Sequence, residues 1–174
     1  MANKSGGGAN TNVVGLKFEQ ETSLEEALRK ASIKGVELDP QDFVFMNGQK
    51  IGYLAGKNLL YKRFLKNNEF NKVVSKKLLP DEAFVNDVEK ILYVIEKKFQ
   101  HRAGSVDEKL QTCDFKLKQY KKLAKLNGYG AKYIYLLSPW FKQDQYKDVL
   151  EYINSVGCSY YFNEIPMSIL GMNS

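Results

Sequence analysis

Two carboxylates and an ammonium fall within one short stretch, at Asp81, Glu96 and Lys98. The stretch begins Pro80-Asp81-Glu82-Ala83-Phe84-Val85-Asn86 and bends through the charged residues Asp87 to Lys90. It continues as Ile91-Leu92-Tyr93-Val94-Ile95-Glu96-Lys97-Lys98. The second arm is β-branched and aromatic apart from Leu92, so the pattern predicts two antiparallel strands around a polar turn. If Asn86 pairs with Ile91, Asp81 falls opposite Glu96, with Cβ atoms about 4.5–5.5 Å apart on one face. Lys98 is two residues beyond Glu96 and shares that face, whereas Lys97 points to the other. Facing carboxylates repel unless a cation sits between them. Ligands that are all oxygen favour a hard ion such as Mg2+. A surface hairpin held by a salt bridge would use the same residues with no chemistry.

Pro-Asp followed by Glu-x-Lys, with fourteen residues between Asp81 and Glu96, resembles the PD-(D/E)XK nuclease superfamily. Within it the chain looks most like a type II restriction endonuclease, over a core of about 57–162. The resemblance implies Mg2+-dependent hydrolysis of phosphodiester bonds in double-stranded DNA. Asp81 and Glu96 would hold the metal together with the backbone carbonyl of Lys97, and Lys98 would orient or activate the attacking water. It also implies an αβββαβ core and a homodimer, since palindromic sites are matched by two-fold protein symmetry. Members of the superfamily often add a glutamate from an early helix. Here Glu25 and Glu26 lie far ahead of the core strands and Glu69 only follows a helix, so a third carboxylate stays unassigned. A resolvase or homing nuclease on the same core is a second enzyme reading. A non-catalytic nucleic-acid-binding or assembly module is the alternative from another class.

The turn after this hairpin, Gln100 to Lys109, opens a helix with Gly104-Ser105, and a helix N-terminus is an anion site. The resemblance implies a polar residue just beyond Glu-x-Lys and DNA-contacting groups in the next loop, which makes Gln100, Arg102, Ser105 and Lys109 candidate DNA contacts. Ser105 also suits an N-cap, with Asp107 and Glu108 serving the helix dipole. The lone histidine, His101, is too little for a Ser-His-Asp triad or a histidine-rich zinc site. Gly6-Gly7-Gly8 and Gly128-Tyr129-Gly130 do not sit between a strand and a helix as a phosphate-cradling loop must.

The 174 residues suit one domain, and 44% hydrophobic content suits a globular chain. The formal net charge of +6 suits a polyanionic partner. Cys113 and Cys158 fit no zinc spacing and read as packed, reduced thiols, which implies a reducing cytoplasm. No apolar run approaches a membrane span, and the N-terminus has no hydrophobic signal core.

These residues must be positioned by a mixed α/β fold, a central mixed sheet flanked by helices. Residues 1–12 read as a flexible tail and 13–174 as the domain. Val13 to Phe18 suggests a short strand, and Ser23 an N-cap ahead of the stripe Leu24, Ala27, Leu28 and Ala31. Asn47-Gly48 between apolar runs signals a hairpin. A helix is expected over 57–68, with basic residues Lys57, Lys62, Arg63 and Lys66 on one side. Strands are expected near 72–79, 80–86, 91–98, 131–137 and 159–162, and helices from Val106 or Asp107 to about Asn127 and over 146–156.

Overall fold

The computed structural model describes residues 15–19, 21–65, 69–101 and 106–172. The expected tail of 1–12 and the candidates Arg102 and Ser105 lie outside the described residues. Seven strands form one mixed sheet: β2 (Val36–Leu38), β3 (Phe43–Met46), β4 (Gln49–Leu54), β5 (Glu82–Asn86), β6 (Ile91–Lys98), β7 (Gly130–Leu137) and β8 (Ser159–Phe162), in that spatial order. The pairs from β2 to β6 are antiparallel, and β6–β7 and β7–β8 are parallel. A two-stranded sheet joins β1 (Gly15–Lys17) to β9 (Glu164–Pro166). The helices are α1 (Leu24–Ala31), α2 (Val106–Leu110), α3 (Cys113–Lys125) and α4 (Lys147–Ser155).

Strand alternation divides the core. Ala83, Val85, Leu92, Val94, Tyr133, Tyr135 and Leu137 pack with α3 and α4 on one face. Phe84, Tyr93, Ile95, Ile134 and Leu136 pack with α1 and the β1–β9 pair on the other. Helices thus cover both faces, as a sheet with parallel strands requires. Leu110 at the end of α2 and Cys113, Leu117, Tyr120 and Leu123 along α3 form one buried stripe. Both cysteines are free and buried. Among the described residues no helix is long and apolar enough to cross a membrane.

The central hairpin has the expected register. Asn86 faces Ile91 and the ladder runs to Glu82 opposite Ile95. Its bend is built by Asn86, whose buried side-chain carbonyl accepts from the amides of Val88 (3.0 Å) and Glu89 (2.9 Å). The Asn47-Gly48 turn takes positive φ at both residues (51° and 77°), which matches the right-handed twist of its flanking strands.

Several expectations are corrected. The stretch 72–79 is not a strand: Glu69–Lys72 is a 3-10 turn, and β4 takes the place beside β5. The antiparallel run of strands that leads into β6 is therefore β4–β5–β6. Of the helix expected over 57–68, the described part holds a single π turn, Leu60–Phe64, entered from Lys57 in the left-handed region (φ 53°). Its Arg63 is not free for phosphate. The guanidinium donates to the carbonyls of Leu54 and Gln41 (2.9 Å each) and stacks between Phe43 and Tyr53.

The helix over 106–127 breaks between α2 and α3. The Lys109 carbonyl there is taken by the hydroxyls of Thr112 (2.7 Å) and Tyr135 (3.1 Å) instead of continuing the ladder. It ends at Lys125, short of the expected Asn127, and Gly128 then turns the chain in the left-handed region (φ 76°). The last helix starts later than expected, after a 3-10 turn at Asp144–Tyr146. The short strands β2 and β9 carry no signal that the sequence reading used.

Candidate active site

β5 and β6 place their carboxylates by continuing the hairpin one step past its ladder. At that step side chains replace ladder bonds. The Asp81 amide donates to Glu96 Oε2 (3.3 Å), and Asp81 Oδ2 accepts from the Lys97 amide (2.8 Å). Asp81 and Glu96 therefore reach across to each other's strand, as the register predicts. Asp81 is held from behind by Gly56, where the chain leaving β4 donates from Lys57 N to the Pro80 carbonyl (2.8 Å). A Cβ on Gly56 would stand 3.1 Å from the Asp81 carbonyl oxygen and 3.3 Å from the Glu82 Cα. Gly56→Val should therefore cost about 1–3 kcal/mol of stability. A urea midpoint equal to that of the unaltered protein would show that the two segments do not touch.

Lys98 Nζ lies 3.2 Å from the Lys97 carbonyl oxygen and 3.9 Å from Glu96 Oε1. A second ammonium arrives from α3: Lys116 Nζ is 2.6 Å from the same Oε1. Glu96 is nearly buried, at 9% exposure, so both contacts operate away from bulk solvent. Lys97 turns to the opposite face, where its Nζ meets Glu82 Oε1 (3.2 Å) and the Thr22 carbonyl (3.0 Å).

Three tyrosines wall the site beneath α3. Tyr120 lies 6.0 Å from Tyr133 between ring centroids, and Tyr133 meets Tyr135 edge-on at 5.2 Å. Burial raises the Tyr120 hydroxyl above its ordinary range, and the charges of Glu96 and Asp81 raise it further. Burial does the same to Tyr133, with Glu96 the next cause. Tyr135 is pushed up to about 12, chiefly by burial. All three stay neutral at neutral pH. The Tyr133 hydroxyl is sealed from solvent with no partner at hydrogen-bonding distance among the described residues.

No protein-family model, curated protein or solved structure matches the chain. The site is therefore read from its own geometry.

The donor set suits a hard divalent ion. It comprises the Asp81 and Glu96 carboxylates and the Lys97 carbonyl, all oxygen. Asp81 Oδ1 makes no hydrogen bond or ion pair with the described residues. Among the described residues no group of three or more acidic, histidine or cysteine side chains is placed to share a metal. Glu25 and Glu26 do not complete one. Their helix packs on the other face of the sheet, Glu25 pairs with Arg29 (3.0 Å), and Glu26 closes a capping box with Ser23.

The remaining candidates scatter. Gln100 is buried, and its backbone is clamped by Ser138 Oγ through both amide (3.0 Å) and carbonyl (2.9 Å). Lys109 is exposed at the end of α2. His101 is exposed and lines a cavity of about 440 Å3 with Phe18, Glu19, Glu21 and Phe99, beside α1. A cavity of about 580 Å3 between α2 and α4 is lined by Glu108 and Asp148, the wrong charge for a phosphate backbone. Sequence reasoning missed Lys116 and Tyr120 as site residues. The available signal was a lysine inside the apolar stripe, since 116 shares a helix face with Cys113 and Tyr120.

Proposed function

We propose that this protein is a Mg2+-dependent endonuclease of double-stranded DNA, built like the PD-(D/E)XK enzymes and closest in kind to a type II restriction enzyme. One observation carries the reading: Asp81 and Glu96 meet across β5 and β6, with Lys98 on the same face at the strand end. Topology supports it, because the β4–β5–β6 meander leads through α3 to β7, parallel to β6. Asp81, Glu96 and the Lys97 carbonyl would hold the ion. A divalent cation bound there supplies positive charge for the scissile phosphate and a water of lowered pKa.

The chain's own groups do the rest. Lys98, within reach of Glu96 and the Lys97 carbonyl, positions the attacking water and offsets charge developing on the phosphate. The neutral tyrosines keep the site dry and low in dielectric, which strengthens that effect. Lys76, five residues ahead of Asp81, and Lys121, Lys122 and Lys125 along α3 are exposed lysines. They suit a phosphate backbone. A homodimer would match a two-fold symmetric DNA site.

Incubation with phage DNA and Mg2+ tests the proposal. Discrete fragments are expected, and none should form with Asp81→Asn. Lys109→Ala should weaken DNA binding and lower the slope of log affinity against log salt by about one counterion. Binding insensitive to salt would sink the DNA reading.

A second reading has its own observation. Lys98 and Lys116 already balance the two carboxylates, so the cluster could serve a nucleic-acid-binding module with no chemistry. Calorimetric titration with Mg2+ separates the two, since the module binds none at the hairpin.

A further inference from the structure

We infer that Lys116 is a displaceable counter-ion, holding the place at Glu96 that a divalent cation takes. The inference rests on the nuclease reading and concerns what the ion must remove in order to bind. Lys116 Nζ is the closest cation to Glu96, at 2.6 Å, against 3.9 Å for Lys98 on the same oxygen. Lys98 is also fixed to the neighbouring Lys97 carbonyl at 3.2 Å. Lys116 keeps about a quarter of its side chain exposed (26%), so it has a way out to solvent, whereas the Glu96 side chain is 11% exposed. Its helix is not free to follow, because Cys113, Leu117 and Tyr120 are all buried. Only the four-carbon stem has to swing.

Charge decides that one lysine leaves. Asp81 and Glu96 against Lys98 and Lys116 sum to zero. A divalent ion added to all four would leave two positive charges in a nearly buried pocket. With Lys116 gone to solvent, one positive charge remains, and a single phosphodiester neutralises it. The site then fills in register with its substrate. Lys116 also prevents two facing carboxylates from repelling when no ion is bound.

Metal affinity tests this without reference to cleavage. Mg2+ titrations at fixed ionic strength would compare the unaltered protein with Lys116→Met, Lys116→Arg and Glu96→Gln. Removing a cation this close to a carboxylate should tighten Mg2+ binding by about tenfold or more. Lys116→Arg, which keeps the charge and adds a forked grip on the carboxylate, should bind no more tightly than the unaltered protein. It also serves if Lys116→Met fails to fold, because tighter binding by Lys116→Arg overturns the inference. Equal or weaker binding by folded Lys116→Met, with binding lost in Glu96→Gln, overturns the inference and leaves the nuclease reading standing. No Mg2+ binding by either the unaltered protein or Lys116→Met overturns both.

Discussion

Asp81→Asn and Lys98→Ala should each lower Mg2+-dependent DNA cleavage by about 100- to 1000-fold or more, with folding and DNA binding kept. The structure explains why both changes are clean. An asparagine at 81 retains a carbonyl oxygen for the Lys97 amide, which Asp81 Oδ2 accepts at 2.8 Å, so the strand end keeps its shape and loses only charge. Without metal it should bind DNA more tightly, because a carboxylate facing phosphate is gone. Removing Lys98 leaves Lys116 at 2.6 Å on Glu96 and the Lys97 amide on Asp81, so each carboxylate keeps a partner. Cleavage gels, thermal melts and a DNA-binding isotherm on each variant are the checks. A folded Lys98→Ala that cuts at the normal rate would remove the site assignment.

Lys97→Ala should do the opposite, sparing chemistry and damaging the fold. Alternation along β6 places Lys97 away from the carboxylates, and by that logic it is an internal control for Lys98. The structure adds a task for it on the far face. Its ammonium bridges Glu82 and the Thr22 carbonyl just ahead of α1, with only 16% and 15% of the two charged side chains exposed. Stripping one partner from such a pair should cost about 3 kcal/mol.

The loss should depend on pH. Burial raises the Glu82 carboxyl above its ordinary range, and Lys97 pulls it part of the way back. A carboxyl whose folded pKa is raised binds its proton more tightly in the fold than in the unfolded chain. Its contribution is therefore full below the unfolded value and declines as pH climbs through the folded one. Without Lys97 the folded value climbs further and the decline deepens. The deficit of Lys97→Ala should thus be smallest below the ordinary carboxyl range and grow as pH rises through the raised folded value. Denaturant curves across that range would show it, and a deficit that ignores pH would count against the Glu82 pairing. At temperatures where the variant is folded it should still cut DNA.

The hairpin was readable because strand chemistry has a period of two. Once Asn86 is set against Ile91, the placement of Asp81, Glu96, Lys97 and Lys98 follows with no further freedom. The buried stripe of α3 was readable for the same kind of reason, with a period of 3.6. What escaped was competition between segments. Val73 and Val74 in a breaker-free run look like a strand, yet one side of β5 can pair with only one partner, and β4 has it. The basic turn after Lys57 looked like an exposed helix face, but Arg63 finds two backbone carbonyls and two rings in segments remote in sequence. Lys116 escaped because no local pattern tells which ammonium of a lysine-rich helix points inward. That choice depends on Glu96, twenty residues away on another element.

The pairing of Gly15–Lys17 with Glu164–Pro166 bears on the order in which the chain assembles. The β3–β4 and β5–β6 hairpins close short loops and can form early. β7 and β8 must wait for their helical crossovers, since parallel neighbours cannot be joined by tight turns. β1 has no partner until β9 exists, and β9 follows the last strand of the large sheet. Closing so long a loop gains only three residue pairs, so entropy places this step late. The face that carries α1, Thr22 and the Lys97 clamp is therefore the last to be sealed, while the face that carries Asp81 and Glu96 takes shape with the early hairpin. The proposed site belongs to the part of the molecule that is organised first, and the seam between the first and last strands is where the finished protein should open most readily.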